Sequence, residues 1–174
     1  MSLYVAYVRA TGHVVGAVGA VGATPSADVA ALVGSELGLR VSLSPTEVVE
    51  LTLDAKDMDS HTVDDEPKVF DDPLVYAVEQ VPNADPKPAL ARLRTGVTVA
   101  FTADRLVVTV PVADPVKAIA VVALVSGDSI LQHSTIPAGK TSADFAATVP
   151  SGQSRGVLAL VAGWAGVLEA VKQK

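Results

Sequence analysis

Apolar and polar residues alternate most cleanly in residues 142–149, where Ala143, Phe145, Ala147 and Val149 recur every second position around Asp144 and Thr148. That period sends one row toward a core and the other toward water, as in a half-buried β-strand. Further short runs at 105–112, 118–126, 129–135, 156–163 and 165–171 are separated by turn-forming residues. These turns are Asp114-Pro115, Gly127-Asp128, Pro137-Ala138-Gly139, Pro150-Ser151-Gly152 and the stretch from Gly163 to Gly166. Six strands at such regular spacing predict a β-sandwich over 104–174.

Residues 1–103 have another rhythm. Runs 3–9 and 13–21 flank Ala10-Thr11-Gly12 and predict a hairpin. Thr24 and Pro25 suit the cap and first position of a helix whose apolar stripe is Val29, Leu32, Val33 and Leu37, with Gly38 as its stop. Strands are expected at 40–43, 47–53 and 74–81, a proline-stiffened connector at 82–88, and a second hairpin from 90–94 to 97–102 around Thr95-Gly96. The expected fold is mainly β: an N-terminal α+β domain with β-hairpins and one short helix over 1–103, then a sandwich over 104–174.

Two of the C-terminal runs are apolar on both rows. In one, Ile119, Val121, Ala123 and Val125 alternate with Ala118, Ala120, Val122 and Leu124. In the other, Val157, Ala159 and Val161 alternate with Leu158, Leu160, Ala162 and Trp164. A free-standing sandwich carries polar residues on its outward row, so something must cover this sheet. The cover is the N-terminal domain or a neighbouring subunit; otherwise these are central strands tolerant of alanine. A subunit as cover leads to a homo-oligomer.

Ile136, Pro137, Ala138, Gly139, Lys140, Thr141, Ser142, Ala143 and Phe145, followed by Val149 and a valine-rich strand, resemble a segment of bacterial immunoglobulin-like domains. The resemblance covers about residues 104–174 and implies an immunoglobulin-like β-sandwich, a fold that hosts many unrelated roles. Tyr4, Val5, Ala6, Tyr7, Ala10, Thr11, Gly12 and Val14 resemble the hairpin that begins many small phage tail-associated proteins. Together these resemblances imply a structural protein whose partners are other structural subunits.

Composition narrows the field. The chain has 174 residues, 49% of them apolar, which is enough for a substantial core and rules out wholesale disorder. There is no cysteine, hence no disulfide or thiolate metal site. No targeting segment is apparent at the N-terminus, and the longest apolar run, 156–168, is shorter than a membrane-spanning helix. No membrane insertion is therefore expected, and assembly into a virion or phage-like particle in the host cytoplasm is.

Charge is concentrated. Residues 54–72 carry eight acids against Lys56 and Lys68, a net −6 that equals the charge of the whole chain. Such a segment repels phosphate backbones, and no basic cluster offsets it, so nucleic acid is not an expected partner. The segment reads as a solvated loop between strands, or as a cation site or docking loop for a basic partner. Asp57, Asp59 and His61 are the candidate ligands, but Thr62 and Lys68 stand where an EF-hand needs glycine and glutamate.

Motifs for chemistry fall short. Gly16, Gly19 and Gly22 have the wrong spacing for a dinucleotide fingerprint and suit a closely packed glycine-rich strand. Gly139-Lys140-Thr141 lacks the upstream glycine of a phosphate loop, having Ser134 there, and precedes a strand pattern instead of a helix. His13, His61 and His133 are far apart and read as surface or turn residues. No catalytic, cofactor-binding or metal residue is assigned, and no cofactor or enzymatic activity is expected. The expected function is a non-enzymatic structural or attachment subunit of a phage virion or tail-like particle, with a cell-surface adhesion or carbohydrate-binding module as the alternative. Seven aromatic residues in all make a stacking platform for sugars the weaker choice.

Overall fold

The alternating N-terminal run folds as predicted into an antiparallel hairpin, β1 (Ser2–Val8) and β2 (Val14–Ala20). The computed structural model describes residues 2–22, 28–79, 89–128 and 130–174. The Thr24-Pro25 helix start, the 82–88 connector and Ser129 lie outside the described residues.

The helix α1 (Val29–Val33) is shorter than the stripe suggested. Asp28 caps it, its carboxylate accepting from the Ala30 N–H at 3.1 Å. Gly34, at φ 78°, stops it, because only glycine enters that region without cost. Leu37 and Gly38 therefore belong to the next strand, β3 (Glu36–Ser44), which pairs with β4 (Glu47–Asp54) in a long hairpin.

The acidic stretch is not a plain loop. A 3-10 turn (Ala55–Asp57) leads into β5 (Met58–Val63), which pairs with β1 along its length and completes the sheet β2-β1-β5. Met58, Ser60 and Val63 are buried, while Asp59 is exposed and Asp57 half-buried. Two more 3-10 turns (Pro67–Phe70 and Pro73–Val75) precede β6 (Tyr76–Glu79), which pairs with β7 (Ala89–Arg92).

The hairpin expected around Thr95-Gly96 does not form. β7 pairs back to β6, whereas β8 (Thr98–Thr102) pairs forward with β9 (Arg105–Thr109) across a tight turn. The two-residue Ala103-Asp104 connection suits a hairpin and brings Val99 and Phe101 beside Val108 and Leu106. The remaining strands are β10 (Ile119–Val125), β11 (Gln132–Ile136), β12 (Ser142–Ala146), β13 (Ser154–Val161) and β14 (Val167–Lys172). They complete two sheets, β12-β9-β8 and β11-β10-β13-β14. The protein is mainly β; among the described residues there is one short α-helix, and no helix is long and apolar enough to cross a membrane.

Apolar rows stack these sheets. Leu106, Val108, Ala143 and Phe145 meet Val121, Ala123, Val157 and Ala159 in one cluster between the two C-terminal sheets. Val122, Leu124, Leu158 and Leu160, the opposite row of β10 and β13, enter a second cluster with Val41, Leu51, Leu53, Met58, Ala6 and Val8. Leu3, Val5 and Tyr7, on the far side of β1, form a third with Val69, Tyr76 and Val78. Thus the cover demanded by the doubly apolar strands is this chain's own N-terminal part. The surplus that pointed to a neighbouring subunit is satisfied within one molecule.

Gly156 shows how close the cover lies. A Cβ there would stand 2.9 Å from Val49 Cγ2, 3.0 Å from Leu51 Cδ1 and 3.3 Å from Val41 Cβ. Gly156→Val is expected to push the β3-β4 hairpin off the sheet and lower stability by about 1–3 kcal/mol, read from urea midpoints. Surface charges matter far less. Arg105 donates to Asp144 at 3.1 Å with both side chains about half exposed, so Arg105→Ala should shift the same midpoint by less than about 1 kcal/mol.

Candidate functional site

Of the three candidate cation ligands, Asp59 and His61 have side-chain contacts elsewhere, and Asp57 is tied in through its backbone. The Asp57 carbonyl accepts from the Arg9 N–H at 3.0 Å, and the Asp59 carboxylate accepts from the Ser60 N–H at 2.8 Å. The His61 ring stacks on Tyr7, with centroids 6.4 Å apart and planes 17° from parallel. No group of three His, Asp or Glu among the described residues is placed to hold a metal ion.

The glycine motifs also resolve into backbone. Gly16 and Gly19 lie in β2, with Gly16 opposite Ala6 and a Cβ on it meeting Ala6 at an ordinary 3.9 Å. The strand is glycine-rich but not tightly jammed at that point. Gly139 and Lys140 form a turn, the Lys140 N–H donating to the Pro137 carbonyl at 3.0 Å, and strand β12 follows. There is no helix end there to gather N–H groups around a phosphate.

His13 departs most from expectation. It is fully buried, not a surface or turn residue. Its Nε2 lies 2.6 Å from the Trp164 carbonyl and its Nδ1 lies 2.9 Å from the Thr11 hydroxyl. A carbonyl only accepts, so Nε2–H donates to it; the Thr11 hydroxyl can serve either ring state, and with the ring neutral it donates to Nδ1. Burial holds its pKa down at about 4, outweighing the Trp164 carbonyl, which favours the charged form. The segments meet around it through backbone bonds as well: Val78 N–H to Gly12, Gly166 N–H to Leu74 at 2.8 Å, and Ala165 N–H to Arg94 at 2.7 Å. A Cβ on Gly166 would sit 3.4 Å from the imidazole. His13 is thus a structural rivet between the N-terminal hairpin and the turn before β14.

On the outer side of that turn lies a hollow of about 380 Å³, lined by Arg94, Val112, Asp114, Pro115, Gly163 and Trp164. Trp164 was expected on the row of Leu158 and Leu160. Gly163, at φ 83°, breaks the alternation and turns the indole toward the cluster between the C-terminal sheets. Arg94 is bridged to Trp164 along the backbone. Asp114 organises the rim: its carboxylate accepts from the Lys117 N–H at 2.9 Å and the Val116 N–H at 2.8 Å, which hold its pKa below the ordinary value. Sequence reading missed this site because its members come from three separate connections. The one signal available was a lone tryptophan beside Gly163.

A second hollow, of about 400 Å³, lies beside Gly127, with Ser126, Asp128, Thr148 and Arg155 on its wall. Ser126 is engaged there, its hydroxyl accepting from the Gly156 N–H at 2.9 Å. The surface offers convergent apolar and cationic groups at the Trp164 end, and a solvated acidic face along β5 and the turns after it. Set against family models, curated proteins and solved structures, the chain matches none.

Proposed function

We propose that the protein is a non-enzymatic structural or attachment subunit of a phage virion or phage tail-like particle, acting through protein–protein contacts. The observation that carries this reading is the shared core. Val122, Leu124, Leu158 and Leu160 join Leu51, Leu53 and Met58 in one apolar layer, so the N-terminal sheets and the C-terminal pair pack as a continuous block. Tight interior packing resists deformation, which suits a part that transmits load or holds a neighbour in place. Arg94 and the acids around Phe70 lie on the outside of that block, and Trp164 is half-buried at its edge.

The C-terminal pair supports the immunoglobulin-like component. Naming β8, β9, β10, β11, β12, β13 and β14 as strands A, B, C, C′, E, F and G turns the observed sheet orders into E-B-A and C′-C-F-G. Those neighbours are the ones an immunoglobulin-type sandwich has. In this reading the unit starts at β8, ahead of residue 104.

The test is location. Particles purified by density gradient from a producing strain should contain this protein at a fixed ratio to their other structural proteins, measured by quantitative mass spectrometry. Recovery only in the soluble fraction, or specific retention on a glycan array, would overturn the reading.

A further inference from the structure

We propose that the Trp164 end of the C-terminal sheets docks the acidic turn around Phe70 of a second copy of this chain. The contact rests on the subunit reading above and deepens it by naming a partner.

The docking end combines apolar exposure with positive charge. Val112 is 64% exposed and Val116 79%, unusual values for valine; Val112 lines the hollow beside the half-buried Trp164, and Val116 follows Pro115 of its wall. Arg94 makes no ion pair among the described residues, and neither do Lys117 and Lys140. The turn carrying Lys140 is pinned to this end by the Gly139 N–H, which donates to the Asp114 carbonyl at 2.7 Å. The one carboxylate in the hollow's wall, Asp114, accepts from two backbone N–H groups, stays ionised and offsets part of the Lys117 charge. Arg94 thus lines an apolar floor containing tryptophan, and Lys117 and Lys140 stand in the two connections joined at Asp114, so bases outnumber acids at this end. Tryptophan and arginine dominate interface energetics because each combines a large contact area with directed polar groups.

The chain carries the complementary surface. Phe70 is 46% exposed at the end of a 3-10 turn, although its neighbour Val69 is fully buried and anchors that turn. The Val69 N–H donates to the Glu66 carbonyl, and the Asp71 N–H to the Lys68 carbonyl, both at 3.1 Å, so the turn is preformed. Asp64, Asp65 and Glu66 precede it and Asp71 and Asp72 follow, none ion-paired among the described residues. An aromatic ring flanked by carboxylates matches an indole-and-valine floor flanked by guanidinium and ammonium groups. A preorganised turn loses little conformational freedom on docking. Within one molecule both patches are open, so neither fills the other.

Two different patches meeting can close as a reciprocal dimer or propagate head to tail. The full chain should therefore gain mass between low-micromolar and near-millimolar concentration in sedimentation velocity at low ionic strength, and lose it at about 0.5 M salt. Arg94→Glu should weaken assembly by at least about tenfold, as should Asp71→Lys with Asp72→Lys. Combining the two changes should recover part of the lost assembly, since the introduced carboxylate can then face the two introduced ammonium groups while the other charges stay as they were. All three positions are exposed, and unchanged circular dichroism checks that each variant folds. A monomer under every condition, or assembly that none of these variants moves, overturns the contact. A strict monomer that is nevertheless found in particles overturns this contact alone and leaves the subunit reading standing.

Discussion

Leu158→Ala should lower the unfolding free energy by about 2–5 kcal/mol, the cost of a buried leucine truncation with its residual cavity. Leu158 lies on the row of β13 that would face water if the two C-terminal sheets stood alone. There, truncation would cost a few tenths of a kcal/mol, as at any wet surface position. The size of the loss therefore reports whether the N-terminal part covers the sheet.

The chain contains its own probes for a stricter form of this test. Its one tryptophan, Trp164, sits in the C-terminal part, and its three tyrosines, Tyr4, Tyr7 and Tyr76, are buried in the N-terminal part. Urea unfolding followed by tryptophan fluorescence and by tyrosine near-ultraviolet signals should give coincident transitions in the wild type. Both should move together in Leu158→Ala, because one apolar layer ties the parts into one cooperative unit. Two separate transitions, or a shift confined to Trp164, would mean that the layer at Leu158 does not couple them.

What was legible follows the range of the interaction that decides it. Alternation in residues 142–149 and the doubly apolar rows of β10 and β13 are local patterns, and the structure uses both as read. The need for a cover was likewise visible, since Val122, Leu124, Leu158 and Leu160 could not all be left wet. Which part supplies it was not visible, because Val41, Val49 and Leu51 meet Gly156 across more than a hundred residues. Leu37 was misassigned although a competing pattern was present: Leu37, Leu39, Val41 and Leu43 alternate with period two through β3, as many apolar positions as the helical stripe holds. The acids at 54–72 drew attention from Met58, Ser60 and Val63, the buried side of β5. At the Trp164 end no linear pattern exists at all, since Arg94, Val112 and Trp164 converge only when β8, β9 and β13 are in place.

Lowering the pH from about 6.5 to about 4 should destabilise the protein through His13, and replacing that histidine should remove the effect. In the fold the ring is neutral with its pKa depressed to about 4, whereas in the unfolded chain it titrates near 6.5. Between those values the unfolded chain binds a proton that the folded one does not, so stability falls as pH falls, and is level above and below the window. The full difference is about 3 kcal/mol at 1.36 kcal/mol per unit. Carboxylates act elsewhere: Asp54 and Asp114 are depressed below 3.8 by hydrogen bonds from backbone N–H groups, so their contribution is lost only as pH falls below that value. His13→Gln places an amide that can still donate to the Trp164 carbonyl but cannot titrate. The variant is expected to be less stable than wild type at pH 7, since it repacks a fully buried site, yet to have a flat stability profile from pH 6.5 to 4. Equal slopes in the two proteins across that window would show that His13 is not the group that titrates. The cost falls on the whole fold, because a proton on Nδ1 ends the Thr11 hydroxyl's donation and charges a ring enclosed by both parts of one cooperative unit.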